Sequence, residues 1–94
     1  MRVTVLGNSG SFPGPDSACA GFLIEEGCFY LLLDCGNGVI SRLQRYIRIE
    51  DLSAIVVSHL HADHMADLLV LRYGLESKRA WGQDIARLPL YIPA

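Results

Sequence analysis

The stretch that most constrains the fold is an apolar run that leads directly into all three histidines of the chain. Residues 54–57 read Ala-Ile-Val-Val, and His59, His61 and His64 follow, with Asp63 between the last two. A short apolar run bounded by polar residues is typical of a buried strand. The strand predicted over 53–58 would therefore deliver four metal-binding side chains to one end of a sheet. The sequence predicts a metal site at that end.

The spacing of the four ligands predicts two metal ions rather than one. Residues two apart on a strand leave on the same side, about 6.6 Å apart at the backbone, so His59 and His61 are expected on a first ion. Asp63 and His64 are adjacent where the chain turns into a helix and project in other directions, which assigns them to a second ion roughly 3.5–4 Å away. Two ligands per ion are fewer than most catalytic zinc sites have. Further ligands are expected from outside these residues.

Imidazole nitrogens with one carboxylate favour zinc, with manganese or iron as alternatives. Each residue also has a purely structural interpretation. The histidines would then be surface residues at a strand end, and Asp63 would be the N-cap of a helix. Asp34 is either a turn-forming residue or an acceptor that orients one histidine from outside the metal shell. Cys35 is expected to be a small buried residue rather than a redox group or a ligand.

Around this stretch the pattern predicts alternating strands and helices. Strands are predicted over residues 2–6, 21–25, 28–34, 53–58 and 88–93, and helices from about 38 to 48 and from 63 to 76. The third strand is apolar on both faces and is expected to be covered on both sides. Asn37 is expected to cap the first helix, and Arg42, Arg45 and Arg48 to form its solvated face. Residues 8–17 are either a lip over the site or an ordered surface loop, and residues 78–84 are expected to be a loop.

Composition narrows the class of protein. The chain has 94 residues, of which 51 % are hydrophobic and 19 % charged, as in a soluble globular protein of at most one domain. A formal net charge of −2 offers no basic field for DNA, and no apolar run reaches the about 18 residues of a membrane span. DNA and membranes are therefore not expected as partners. Three cysteines without a CxxC pair favour a reducing, cytoplasmic location over a secreted disulfide framework.

Three segments resemble the metallo-β-lactamase superfamily. Residues 58–64, Ser-His-Leu-His-Ala-Asp-His, look like its signature, and residues 32–38 resemble the strand and turn that precede it. Residues 5–11 are similar to the first strand and loop of the phosphodiesterase branch that includes ribonuclease Z. The resemblance implies an α/β (α+β) fold, the αββα sandwich. Residues 1–94 would be the N-terminal part of this single domain, about its first half, with a mixed sheet plus two helices.

The resemblance also implies a di-zinc site, with His59 and His61 on the first ion and Asp63 and His64 on the second. Asp63 is in addition assigned a catalytic role. The implied activity is that of a metal-dependent hydrolase, a phosphodiesterase in which a water bridging the two ions attacks phosphorus. A thioester or lactone hydrolase of the same superfamily and a non-catalytic fragment are the alternatives. The chain would associate with a missing C-terminal half or form a homodimer to complete the site.

Two departures shift the implied substrate. Asp67 stands where ribonuclease Z and many relatives carry glycine, and no arginine follows the first loop. Together with residues 14–18, these features resemble more closely the branch of bacterial cyclic-nucleotide phosphodiesterases. The expected partner is a small phosphodiester, such as a cyclic nucleotide, or the 3' end of an RNA.

Overall fold

The computed structural model describes residues 1–93, which form a five-stranded mixed sheet with three helices. The strands are β1 (Arg2–Gly7), β2 (Gly21–Glu26), β3 (Phe29–Leu33), β4 (Ala54–Val56) and β5 (Leu90–Tyr91), side by side in that order. β1, β2 and β3 pair antiparallel, whereas β3, β4 and β5 pair parallel. The helices are α1 (Val39–Leu43), α2 (Ala62–Met65) and α3 (Asp67–Ala80), and a 3-10 turn spans Ile49–Asp51. The predicted mixed sheet is confirmed.

The connections follow from the pairing. β2 and β3 form a hairpin because Gly27, with a φ of 59°, turns the chain between them. Parallel strands need a crossover, and α1 with the 3-10 turn links β3 to β4, while α2 and α3 link β4 to β5. None of the helices within residues 1–93 combines the length and the hydrophobicity that crossing a bilayer requires.

The core lies between the helices and one face of the sheet. Leu23, Leu32 and Ile55 are register partners across β2, β3 and β4, and all three are buried. Buried side chains of the helices complete this cluster: Val39, Ile40, Leu43, Leu71 and Leu75. Each fully buried aliphatic side chain contributes about 1.5–3 kcal/mol.

The opposite face of the sheet is also apolar, but the described residues leave it largely uncovered. Its side chains form two rows across the strands: Val3, Ile24, Leu31 and Ala54, and Val5, Phe22, Leu33, Val56 and Tyr91. Val3, Val5 and Tyr91 are 55, 56 and 60 % exposed. The prediction that β3 is covered on both sides is therefore wrong within residues 1–93, since Leu31 and Leu33 are only half-buried.

The helices differ from the prediction at their ends. α1 has only five residues and ends at Leu43. Beyond it the chain forms turns, one of which is closed by the hydrogen bond from the Tyr46 N–H to the Leu43 carbonyl. The single helix predicted over 63–76 is divided into α2 and α3. α3 extends to Ala80, so the first part of the loop predicted over 78–84 is helical.

The N-terminus of α1 is capped from a distance. Asn37 does not cap it, because Gly38 occupies the N-cap position with a φ of 86° and offers no side chain. Instead, the carboxylate of Asp67, at the start of α3, accepts a hydrogen bond from the Ile40 N–H at 3.0 Å. Asp67 is 5 % exposed. A buried acidic residue on one helix thus satisfies a free N–H of another.

Arg42 also departs from its predicted role. Arg45 and Arg48 are exposed, as predicted, but they lie beyond the end of α1 and so form no face of that helix. The Arg42 guanidinium, in contrast, donates to the carbonyls of Leu6 and Asp16. It therefore holds the end of β1 and the following loop together.

Candidate metal centre

The histidine cluster lies at one edge of the sheet. β1, β3 and β4 run in the same direction, because β1 and β3 are both antiparallel to β2 and β3 is parallel to β4. Their carboxyl ends therefore meet at one edge. The loop over 8–17 follows β1, Asp34 follows β3, and residues 58–64 follow β4. Ligand sites in open α/β sheets lie beyond the carboxyl ends of the strands in this way.

Asp34 is the centre of the hydrogen bonds at this edge. It adopts a left-handed conformation with a φ of 62°, which aspartate tolerates better than most residues. Its backbone N–H binds the Val56 carbonyl, and its side chain turns toward the chain that leaves β4. There it accepts three hydrogen bonds: from the Ser58 N–H at 2.7 Å, the Ser58 hydroxyl at 2.8 Å and His64 Nδ1 at 2.8 Å. Asp34 thus forms the turn and also contacts a histidine.

These contacts determine the ionisation of Asp34. Burial alone would raise the pKa of this carboxyl. The hydrogen bonds from the Ser58 N–H, His64 and the Ser58 hydroxyl outweigh burial, and together they hold the pKa of Asp34 below its usual value. Asp34 is therefore a carboxylate at neutral pH, and it acts only as an acceptor.

The His59 ring lies against both of the other imidazole rings. The His59 ring centroid is 4.9 Å from that of His61 and 3.9 Å from that of His64. The premise that His59 and His61 leave a strand side by side is wrong, because β4 ends at Val56 and both residues lie in the following loop. The His59 ring is thus closer to His64 than to His61, with which it was predicted to share an ion. The assignment of the ligands to two ions stays a prediction.

Asp63 and His64 present two acceptor atoms to each other. His64 donates its Nδ1 proton to Asp34, so in the neutral ring Nε2 carries a lone pair. This Nε2 lies 3.4 Å from Asp63 Oδ2. Two ligands of one tetrahedral zinc ion, each about 2.0–2.1 Å from the metal, would lie roughly 3.3–3.4 Å apart. The pair therefore fits a divalent cation in its chemistry and its spacing.

The set of donors is incomplete. In residues 1–93 no three histidine, cysteine, aspartate or glutamate side chains come together in a group that could hold a metal ion. Asp63 and His64 fit a divalent ion as a pair, and the imidazoles of His59 and His61 lie beside this pair.

The structural interpretation of Asp63 as an N-cap is wrong. α2 begins at Ala62, His61 occupies the N-cap position, and no side chain caps this helix. The Asp63 carbonyl accepts the Ala20 N–H at 3.1 Å, and Oδ2 lies beside Gly10 in the loop that follows β1. Asp63 therefore lies between this loop and the histidine cluster.

Gly36 allows the segments around the cluster to approach closely. A Cβ at this position would lie 2.2 Å from the Asp63 carbonyl oxygen and 2.6 Å from the Cys19 Cβ. The neighbouring Cys35 N–H donates to the His64 carbonyl at 2.8 Å. The turn after β3 thus packs directly against the backbone of two predicted ligands, and any side chain larger than hydrogen would separate them.

The two cysteines near the cluster are buried. Cys35 is fully buried, as predicted. Burial, with Asp67 and Asp34 nearby, raises the pKa of the Cys35 thiol far above its ordinary value. Burial and the charge of Asp63 also raise the pKa of Cys19. Both residues are thus thiols that pack in the core.

Ser58 is the residue at this site that sequence reasoning missed. Its hydroxyl lies 2.8 Å from Asp34 Oδ2 and 3.0 Å from His59 Nδ1. The serine is visible in the sequence directly before His59, but its connection to Asp34 spans 24 residues. No local pattern reports such a contact.

Comparisons with known proteins agree with this geometry. The family model described as "Metallo-beta-lactamase superfamily" matches residues 14–93. "Probable metallo-hydrolase YhfI" of Bacillus subtilis is 41 % identical over 91 residues, which are 97 % of this chain and 37 % of that protein. "Ribonuclease Z" of Mycobacterium bovis is 38 % identical over 69 residues, which are 72 % of this chain and 25 % of that protein. The matched residues thus span between a quarter and little more than a third of the length of these relatives.

The fold of this chain matches a part of two solved structures. The crystal structure of YhfI from Bacillus subtilis superimposes with a TM-score of 0.93 at 39 % identity, over 96 % of this chain and 37 % of that one. The human short-form tRNase Z superimposes with a TM-score of 0.74 at 19 % identity, over 100 % of this chain and 46 % of that one. The second comparison concerns the fold alone.

Proposed function

The chain belongs to the metallo-β-lactamase superfamily, and from this premise we propose that it supplies one half of the metal centre of a hydrolase. His59, His61, Asp63 and His64 would be its ligands, with Asp63 at the reacting centre. Divalent ions at such a centre polarise the bond that is cleaved and activate water. Zinc suits these donors best, with manganese or iron as alternatives.

One observation carries the proposal. His64 Nε2 and Asp63 Oδ2 are 3.4 Å apart, and with the His64 Nδ1 proton directed at Asp34 the neutral ring has no proton to place between them. Two acceptors that face each other repel unless a cation lies near both. Binding a cation would relieve this repulsion, and this is the chemical reason for proposing a metal ion there.

We propose a phosphodiester as the substrate, of the cyclic-nucleotide or RNA 3'-end type. The Mycobacterium relatives named "Ribonuclease Z" support this class. A thioester or lactone is the second candidate, because the segments at this edge, residues 8–18, 34–38 and 58–64, contain no lysine or arginine that would bind a phosphate. A phosphodiester would then be held by the metal ions themselves. The cysteine usage supports a cytoplasmic location.

Zinc binding tests the metal site in the chain as it stands. Calorimetric titration with zinc is expected to show binding that His61→Ala weakens by more than about 100-fold, since ligand loss costs at least as much as loss of an outer partner. Asp84→Ala, in an exposed loop, is the matched control and should bind like the parent. Equal zinc binding by His61→Ala and the parent would contradict the assignment.

A chimera tests the reaction class. This chain replaces the 91 matched residues of Bacillus subtilis YhfI, whose backbone it follows with a TM-score of 0.93. The chimera and the unmodified YhfI are assayed on bis-p-nitrophenyl phosphate, a thioester and a lactone. We expect turnover of the phosphodiester that His61→Ala abolishes. Turnover of only the thioester or the lactone would refute the substrate class and leave the metal site intact.

A further inference from the structure

The hydroxyl of Ser58 lies between a buried carboxylate and a predicted metal ligand. It is 2.8 Å from Asp34 Oδ2 on one side and 3.0 Å from His59 Nδ1 on the other. A serine hydroxyl has one proton to donate and lone pairs that accept. The direction of that proton therefore decides whether His59 Nδ1 donates a hydrogen bond to Ser58 or accepts one from it.

The carboxylate decides the direction of this proton. Asp34 can only accept, and its Oδ2 already receives the proton of His64 Nδ1 at 2.8 Å. If Ser58 turned its proton toward His59, its oxygen would face Asp34 Oδ2 at 2.8 Å with no hydrogen between them. Ser58 therefore donates to Asp34 and accepts from His59 Nδ1–H. The lone pair of His59 is then on Nε2.

We propose that Ser58 is a positioning residue through which Asp34 sets the tautomer and the ring orientation of His59. Asp34 acts on His64 directly and on His59 through the Ser58 hydroxyl, so one carboxylate presents Nε2 of both rings to the metal centre. The importance of this relay for metal binding rests on the proposed function. The relay itself is a property of the metal-free chain.

The backbone of Ser58 provides a means of isolating the hydroxyl. The Ser58 N–H also donates to Asp34 Oδ1, at 2.7 Å. This bond persists in Ser58→Ala, so the loop stays attached to Asp34 and only the hydroxyl is removed. Ser58→Thr retains the hydroxyl and is the matched control.

Imidazole nitrogen NMR of the zinc-free, 15N-labelled chain tests the relay. At a pH where the rings are neutral, the parent and Ser58→Thr are expected to carry the proton of His59 and of His64 on Nδ1. In Ser58→Ala the His59 proton should move at least partly to Nε2, while His64 stays unchanged. An unchanged His59 in Ser58→Ala would overturn the proposal.

A second variant keeps the test decisive if Ser58→Ala does not fold. Asp34→Asn is expected to change the tautomers of both His59 and His64, and a change at His64 alone would overturn the relay. Zinc affinity should fall about 10- to 100-fold in Ser58→Ala and recover in Ser58→Thr. If the parent bound no zinc, the proposed function would fail, whereas the NMR result would still decide the relay.

Discussion

Removing the carboxylate of Asp67 should destabilise the chain, because no other described side chain caps α1. Asp67 lies at the start of α3 and binds the Ile40 N–H in the first turn of α1. Gly38, the N-cap residue, makes no side-chain bond there. Asp67→Ala would leave a buried N–H without a partner while the backbone of both helices stays unchanged.

The magnitude follows from two opposing contributions. A buried N–H without a partner costs about 1–3 kcal/mol, and loss of an N-cap costs about 0.5–2 kcal/mol. The two figures describe the same lost hydrogen bond and are therefore not added. Removing a buried carboxylate returns part of its desolvation cost. We therefore expect a loss of about 1–2 kcal/mol in the free energy of unfolding, a large fraction of the roughly 5–14 kcal/mol of a chain this size.

Urea unfolding measures this loss. With a slope of about 1–1.5 kcal/mol per molar for a small domain, the midpoint should fall by roughly 1 M. Asp67→Asn retains an acceptor oxygen and should lose less than half as much. Asp84→Ala, in an exposed loop, controls for the loss of one negative charge.

Two results would refute the reasoning. A free energy of unfolding for Asp67→Ala within about 0.3 kcal/mol of the parent would show that the bond to Ile40 contributes nothing net, below the usual range for a hydrogen bond. Equal losses in Asp67→Asn and Asp67→Ala would show that the charge, rather than the acceptor, stabilises the helices.

Two further predictions concern packing and pH. Gly36→Ala should lower the free energy of unfolding by about 1–3 kcal/mol and weaken zinc binding, because its Cβ would lie 2.2 Å from the Asp63 carbonyl oxygen. Thermal melts and zinc titration measure the two effects. Gly14→Ala is the control, because a Cβ there meets nothing within 4 Å. Glu50→Gln should cost about 0.5–1 kcal/mol at neutral pH. The hydrogen bond from Lys78 holds the Glu50 pKa below its usual value. The stability that this bond contributes is therefore present above the unfolded pKa of about 4.3 and is lost as the pH falls through the folded pKa. An equal loss of stability in Glu50→Gln at pH 7 and at strongly acid pH would contradict this prediction.

The sequence was sufficient for the features that depend on local pattern. Alternating or continuous apolar runs placed all five strands near their observed positions. The apolar run before His59 correctly put the histidines beyond the end of β4. The burial of Cys35 was expected of a free cysteine, which packs as a small apolar residue.

The features that the sequence could not provide depend on distant contacts. Asp67 reaches Ile40 across 27 residues, and Arg42 reaches the Leu6 carbonyl across 36. Each contact replaces a local interaction that the pattern favoured, a cap in one case and a solvated side chain in the other. The shortness of β4 also could not be read from the sequence. Because β4 ends at Val56, His59 and His61 lie in a loop, and the side-by-side arrangement expected of residues on a strand does not apply to them.

The apolar face of the sheet determines how this chain responds to hydrophobic dyes. ANS fluoresces on exposed apolar surface, and its binding is commonly taken as the mark of a molten globule. Two rows of apolar side chains form such a surface in the folded chain, with Val3, Val5 and Tyr91 more than half exposed. We therefore expect a bright dye signal at low temperature from the native fold. Circular dichroism, rather than a gain in dye fluorescence, is the measurement that reports unfolding.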